Sequence, residues 1–563
     1  MTKRIVIIGG VAAGTKAAAR ARRRDPYAEI TLVERGDLIS YSGCAMPYYI
    51  SHDIEAAEEL TVTRLDEFTL LRNINVLIGT EAVSIDREAK TVLVRRLSDG
   101  ETQVLPYDNL VLTTGGAPVV PPIEGRDLAG VFRLKEPADA VRIRAEVDAG
   151  RVQRAVIVGG GLIGMEMAEA LTANGVKVAV VEMLDRVLAP FLDPEMAALV
   201  HAHLREKGVD LHLSERAERF EGDAEGHVRR VVTSSHVLEA DLVLLAIGVR
   251  ANAALARAAG LQLGPTGGIV VDDHLRTSDP AIYAGGDCVE NTNLVTGQPL
   301  YGASGSTANK HGRVIGTNVT GGDEVFPGVL GTMVAKVFDL NIGSTGVTEA
   351  RARELGLETI TALVPGMDRA HNYPTRQEIV LKMVVERGTS RLLGLQGVGP
   401  GEVAKRIDVA ATALNFHATV DQVANLDLGY APPYAPAVDP IHHAANIIRN
   451  KRDGLTTGIG PSRLQQMIDE GEPFLLLDVR SREEFAERRI AAGGRLLHIP
   501  QEELRSRIAE LPRNVPIVAY CARGIRAYRA QRTLRGLGLE DVAFLEGSLL
   551  GWAGKTESGE NSD

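Results

Sequence analysis

Two stretches of the chain repeat one pattern, and that repetition constrains the fold more than any other feature. RIVIIGGVAAGTKAAARARRR passes from an apolar strand through a glycine turn into an alanine-rich segment and is followed by EITLVER; RAVIVGGGLIGMEMAEAL takes the same course into VKVAVVEM. Each reads as strand, turn, helix, strand, the unit from which parallel sheets are built. In the first, Gly9 and Gly14 hold the outer positions of a G-x-G-x-x-G fingerprint, Gly10 lies between them, and Val11 takes the middle glycine's place; Glu34 closes the second strand about twenty residues further on. In the second, Gly159, Gly161 and Gly164 complete the fingerprint and Glu182 closes the strand. Such turns bring free helix-start amides against a pyrophosphate, while the acid accepts from a ribose hydroxyl. Two units therefore predict two bound dinucleotides. Glu182 would repel a 2′-phosphate, which favours NADH over NADPH, with the nearby Arg186 acting in the opposite sense.

Three cysteines, Cys44, Cys288 and Cys521, are too few and too dispersed for a disulfide framework or a Cys-rich zinc site, and no metal centre is expected. Cys44 lies in SYSGCAMPYYIS, a short way past Glu34, where Ala45, Met46 and Pro47 predict the first turn of a helix whose amides favour a thiolate. The net charge of -11 argues against a nucleic-acid partner. Met1 leads almost directly into a strand, and no apolar run is long enough to span a bilayer; a cytoplasmic protein without a membrane partner is expected.

The expected architecture is α/β. Residues 1–150 and 245–324 form one dinucleotide-binding domain and 151–244 a second. From 325 to 450 the chain changes to alternating strands such as TMVAKVF and EIVLKMVV, then the proline-rich DLGYAPPYAPAVDP. Residues 451–461, rich in Gly and Thr, read as a linker, 462–555 as a small parallel α/β domain containing FLLLDVR and IVAYC, and 556–563 as a disordered tail.

Together, the two fingerprints, the strand NLVLTTGG with Thr114 and Gly115, the strand AIYAGGDCVEN with Asp287, and the lone cysteine in SYSGCAMPY resemble the single-cysteine branch of the pyridine nucleotide-disulfide oxidoreductases, in particular its coenzyme A-disulfide reductases fused to a rhodanese. The rhodanese resemblance rests on Asp478, Arg480 and Glu484 in LLLDVRSREEF and on the loop CARGIRA from Cys521. The resemblance implies two Rossmann-like domains for FAD and NADH or NADPH, a dimerisation domain, and a homodimer in which Tyr430 and Tyr434 complete the partner's active site. It implies a Cys44 that forms a mixed disulfide with substrate sulfur, and a Cys521 that carries sulfane sulfur within a loop of Arg523, Gly524 and Arg526. Arg23, Ser40 and Arg72 match positions that contact coenzyme A. Gly43 replaces the asparagine usual before the cysteine, and Asn372 a tyrosine of the Tyr-Tyr-Pro stretch, which bears on the identity of the disulfide substrate.

The expected function is NAD(P)H-dependent reduction of a persulfide, polysulfide or coenzyme A disulfide through Cys44, with sulfur delivered by Cys521. The alternatives are an NADH oxidase or peroxidase, in which Cys44 cycles through a sulfenic acid, and a sulfur-carrier or redox-sensing protein that delivers sulfur to a partner protein.

Overall fold

A computed structural model describes residues 2–558, which divide into two compact units: 2–183 with 212–329, and 184–211 with 330–558. Among the described residues, no helix is long and apolar enough to cross a membrane.

The first unit contains both fingerprints. Five parallel strands run in the order Ile282–Ala284, Asn109–Leu112, Arg4–Ile8, Glu29–Val33 and Asn75–Leu77. They bury both faces, as parallel strands bearing helices do, with Ile5, Ile7 and Leu32 on one side and Leu110, Ile282 and Ala284 on the other. The second fingerprint opens a second parallel sheet, where Arg154–Val158 lies between Lys177–Glu182 and Leu242–Leu245. In both sheets the glycine turn leaves the carboxyl end of the first strand, the edge at which open α/β sheets bind ligands.

The second unit holds an antiparallel five-stranded sheet in the order Met333–Val337, Leu340–Gly346, Leu392–Gly399, Glu378–Glu386 and Thr359–Met367. Lys382, on the fourth of these strands, is 2% exposed and reaches Glu195 at 2.6 Å, Glu349 at 2.7 Å and Asp193 at 3.0 Å. Asp193 also accepts from the Glu349 and Ala350 amides at the start of the helix Glu349–Glu354. This charged knot explains why 184–211, expected within the nucleotide-binding stretch 151–244, is compact with the antiparallel sheet.

The same unit holds a parallel sheet ordered Gly458–Ile459, Val542–Leu545, Ile517–Tyr520, Leu475–Asp478 and Leu496–His498. Two expectations are corrected here. The stretch 451–461 is not a free linker: Lys451 and Arg452 end the helix Pro440–Arg452, Gly458–Ile459 is a sheet strand, and Thr456 is buried against Gln531. Nor is the chain disordered from 556, because Thr556–Glu557 pairs antiparallel with Arg489–Ile490 and Arg489 binds Glu557. Residues 559–563 of the expected tail lie outside the described residues.

Candidate active sites

In the first unit, Gly9 adopts φ +107°, and a Cβ there would fall 2.1 Å from the Thr113 carbonyl oxygen; one on Gly14 would fall 1.9 Å from the Gly9 oxygen. Only glycine lets the turn close this tightly, and the closure aims the start of helix Ala12–Arg24 at whatever occupies the sheet edge. Glu34 accepts from the Gly10 amide at 2.6 Å and from Gly36 at 2.8 Å, so its carboxylate faces the turn. The second fingerprint repeats the arrangement: Glu182 accepts from Gly160 at 2.6 Å, and Gly159, at φ +113°, packs against Ala246.

The threonine that braces the first turn is Thr113, whose hydroxyl donates to the Ile8 and Gly9 carbonyls at 3.0 and 2.9 Å. Its sequence neighbour Thr114 bonds the Asn252 carbonyl at 2.6 Å, and Gly115 turns the chain at φ +69°. Asp287, half-buried, accepts weakly from the Ser304 amide at 3.3 Å; burial pushes its carboxyl up, against the pull of Lys135. Cys288 is buried and donates to the Leu112 and Gly285 carbonyls, as a small core residue would. The buried Tyr301 hydroxyl has no protein partner, and burial raises its pKa. Two tight glycine turns, two acids facing them and an orphaned buried hydroxyl fit a chain built around dinucleotides.

Cys44 is exposed and sits in the single 3-10 turn Gly43–Ala45, which runs into the helix Met46–Ile50 with Pro47 in its first turn. The expected thiolate-favouring environment is corrected by the electrostatics. Desolvation by the packed protein around it, then Glu166 and Asp287, push the Cys44 thiol up, and only Lys135 acts the other way. Glu166, on the helix Leu162–Ala173, is itself raised to about 7 by burial and by Glu169. Neither Lys135 nor Glu166 was singled out in the sequence; the one available signal is that Glu166 follows the last fingerprint glycine by two positions.

The three residues expected at coenzyme A differ in their surroundings. Arg23 is exposed in the last turn of its helix, Ser40 is buried at φ +53°, and Arg72 is paired with Glu67 and lies 4.5 Å over the Phe68 ring.

In the second unit the strand Ile517–Tyr520 delivers Cys521 to a loop closed by Gly524 at φ +109°, after which the helix Ile525–Gly536 begins. The Gly524 amide donates to the Cys521 sulfur at 3.0 Å, the Ser548 hydroxyl lies 3.8 Å from it, and the side chain is buried. Arg526 holds Glu484 through two bonds of 2.6 and 2.7 Å, which draws that carboxyl down to about 2. Arg523 bonds Glu378 at 2.6 Å, a partner the sequence did not indicate. Asp478 and Arg480 form a buried pair at 2.6 Å, with the Arg480 guanidinium 5.5 Å from the Tyr520 ring centre. Tyr430 and Tyr434 are both exposed.

Residues 3–306 match the pyridine nucleotide-disulphide oxidoreductase family, 332–441 its dimerisation domain and 460–555 a rhodanese-like domain. The chain belongs to the pyridine nucleotide-disulphide oxidoreductases. It is an α/β oxidoreductase carrying a C-terminal rhodanese domain. Family membership implies FAD and NAD(P)H, which the two fingerprint turns suit. Over 79% of its length and 98% of the relative's, the chain is 40% identical to an NAD(P)H sulfur oxidoreductase (CoA-dependent) of Pyrococcus abyssi. A solved NAD-dependent persulfide reductase from A. fulgidus is 47% identical with a TM-score of 0.93, covering 98% of this chain and 100% of that one. CoADR-RHD from Bacillus anthracis is 35% identical with a TM-score of 0.91, covering 97% of each chain.

Proposed function

We propose that this oxidoreductase reduces persulfides, including coenzyme A persulfide, at Cys44 with electrons from NADH or NADPH, and that Cys521 of the rhodanese domain supplies the sulfane sulfur. Bound FAD would carry the electron pair from the nicotinamide to the cysteine sulfur. The first fingerprint, with Glu34, Thr114, Gly115 and Asp287, is assigned to FAD, and the second, with Glu182, to the nicotinamide dinucleotide. Arg23, Ser40 and Arg72 are assigned to coenzyme A, and Tyr430 to the active site of the partner in a homodimer. Domain limits keep the sequence expectation except that the linker is shortened, 184–211 groups with the antiparallel sheet, and the strand Thr556–Glu557 joins the C-terminal domain.

The observation that carries the reading is one solvent-accessible thiol, Cys44, in a chain whose rhodanese-like domain also aims the Gly524 amide at the sulfur of a second cysteine, Cys521. The third cysteine, Cys288, is fully buried and donates to the Leu112 and Gly285 carbonyls, as a core residue rather than a resolving thiol would. The Cys44 thiolate attacks the inner sulfur of a persulfide R–S–SH, forming Cys44–S–S–R and expelling HS⁻; two electrons and a proton then return the Cys44 thiolate and free RSH. Lys135 opposes the raised thiol pKa and so favours the attacking thiolate.

The test is anaerobic NAD(P)H oxidation and sulfide release with coenzyme A persulfide and coenzyme A disulfide at matched concentration, using wild type, Cys44→Ser and Cys521→Ser. Preference for the persulfide, abolished in Cys44→Ser, and slower use of a rhodanese sulfur donor in Cys521→Ser are expected. Sulfide release from such a donor by Cys521→Ser at the wild-type rate would sink the hand-over.

A further inference from the structure

Three ligand-type side chains converge where two turns of the first unit meet. His212 lies on the strand Asp210–Leu213, Glu215 follows the left-handed Ser214 at φ +57°, and His236 precedes the strand Val237–Glu239. His236 Nδ1 is 2.9 Å and His212 Nδ1 3.3 Å from the same oxygen, Oε1 of Glu215, and the two rings meet edge to face with centroids 4.9 Å apart. The three ligand atoms all lie within 4.8 Å of one another.

Those separations have a chemical reading. Bonds of about 2.0–2.2 Å to a tetrahedral cation place neighbouring ligand atoms roughly 3.3–3.6 Å apart. The two measured gaps require only small adjustment to reach that spacing. The carboxylate is also held for the role. The Thr233 hydroxyl donates to Glu215 Oε2 at 2.7 Å, leaving Oε1 to face the imidazoles, and the Glu215 amide is fixed to the Glu182 carbonyl at 3.0 Å. Thr233 fixes the other side too, because the His236 amide donates to its hydroxyl at 2.8 Å and its own amide donates to the His236 carbonyl. A threonine that orients both a carboxylate and the turn bearing a histidine does what outer-shell groups do in metal sites. The Glu215 and His212 side chains are 10% and 11% exposed while His236 is 54% exposed, so a cation could enter past His236 and keep one coordination position open to water.

We propose that His212, Glu215 and His236 form a binding site for one divalent cation of the zinc class, completed by water. Two imidazoles and one carboxylate suit zinc or a neighbouring transition metal rather than calcium or magnesium, whose ligands are oxygens. On binding, each neutral ring gives its Nδ1 lone pair to the cation and carries its proton on Nε2. The assignment is independent of the dinucleotide reading, since none of the three side chains belongs to the fingerprints or the sulfur sites.

The test uses the full-length flavoprotein, stripped with a chelator and titrated with zinc, with stoichiometry taken by equilibrium dialysis and ligand type by X-ray absorption at the zinc edge. The same measurements on Cys44→Ser/Cys521→Ser remove thiolate binding. One zinc per chain with only nitrogen and oxygen neighbours is expected in the double-serine protein. His236→Ala, at an exposed position that does not threaten folding, should lose it, and Thr233→Val should weaken it by about 10–100-fold. No zinc bound in the double-serine protein, or binding equal in His236→Ala, overturns the site.

Discussion

The Arg523 guanidinium, two residues past Cys521, reaches out of the rhodanese loop to the Glu378 carboxylate at the start of an antiparallel strand, with nitrogen and oxygen 2.6 Å apart. Arg526 is likewise matched, by Glu484. Both cations expected to hold an anionic sulfur group are therefore already neutralised, and an incoming persulfide competes with Glu378 for the more exposed one. Glu378→Gln should lower KM for an anionic sulfur donor by up to about fivefold, the equivalent of ~1 kcal/mol for an exposed pair, with stability nearly unchanged. The gain should fade with added salt. Steady-state rhodanese assays at two ionic strengths check it, and an unaltered KM at low salt would show that Arg523 stays with the sheet.

Glu166 and Cys44 predict a pH effect with a definite sign. A carboxyl raised to about 7 is neutral below that pH and negative above it, and its charge pushes the Cys44 thiol up. Glu166→Gln should therefore speed alkylation of Cys44 in reduced holoenzyme above pH 7, by up to about tenfold for a shift of one pKa unit. Below pH 7 the two proteins should converge. Rates of iodoacetamide labelling at Cys44, read by peptide mass spectrometry across pH 6 to 9, decide it; parallel curves would remove Glu166 from the thiol's surroundings.

His311 makes the first unit acid-sensitive. It is fully buried, accepts from the Gly286 amide at 3.1 Å, and burial lowers its pKa to about 4. With an unfolded value near 6.5, the unfolded chain binds the proton first, so stability is fully present above pH 6.5 and falls as pH drops towards 4, by roughly 3 kcal/mol at most. His311→Gln keeps an acceptor for Gly286 without titrating. Thermal release of flavin fluorescence should fall in temperature more steeply with acid in wild type than in the variant.

What could be read from the sequence were features written in local backbone chemistry. The two glycine turns, the strand-end acids Glu34 and Glu182, and the strand-loop-helix around Cys521 depend on neighbours within one unit, so spacing specifies them. Side chains that arrive from elsewhere were not legible. Thr113 rather than Thr114 braces the first turn because strand pairing sets Leu112 beside Ile8. Lys135 and Glu166 bear on Cys44 only once the sheets are assembled; burial, with the Glu166 and Asp287 charges, reverses the expectation that a helix start would lower the thiol, and Lys135 only opposes them. Thr556–Glu557 reads as tail because its partner strand, Arg489–Ile490, lies far back in the chain.

Lys382 offers the severest test of how the second unit is built. Burial pushes the Asp193 carboxyl up, but Lys382, Gln396 and the Ala350 amide outweigh it and hold the group below its usual range; Glu195, Asp193 and Glu349 outweigh burial in turn and hold the Lys382 ammonium protonated. Lys382→Met keeps much of the side-chain volume but strands Asp193 and Glu195 without a cation and leaves Glu349 only Arg353. Breaking a buried pair by removing one partner costs about 3–5 kcal/mol. The loss should be local: faster hydrogen exchange in peptides covering 194–206 and 378–386, with the parallel strands 4–8 and 154–158 protected as before. Adding Asp193→Asn and Glu195→Gln to Lys382→Met should restore much of the protection, because the penalty lies in the unpaired charges. Equal exchange in wild type and Lys382→Met would mean that the cluster does not hold 184–211 to the sheet.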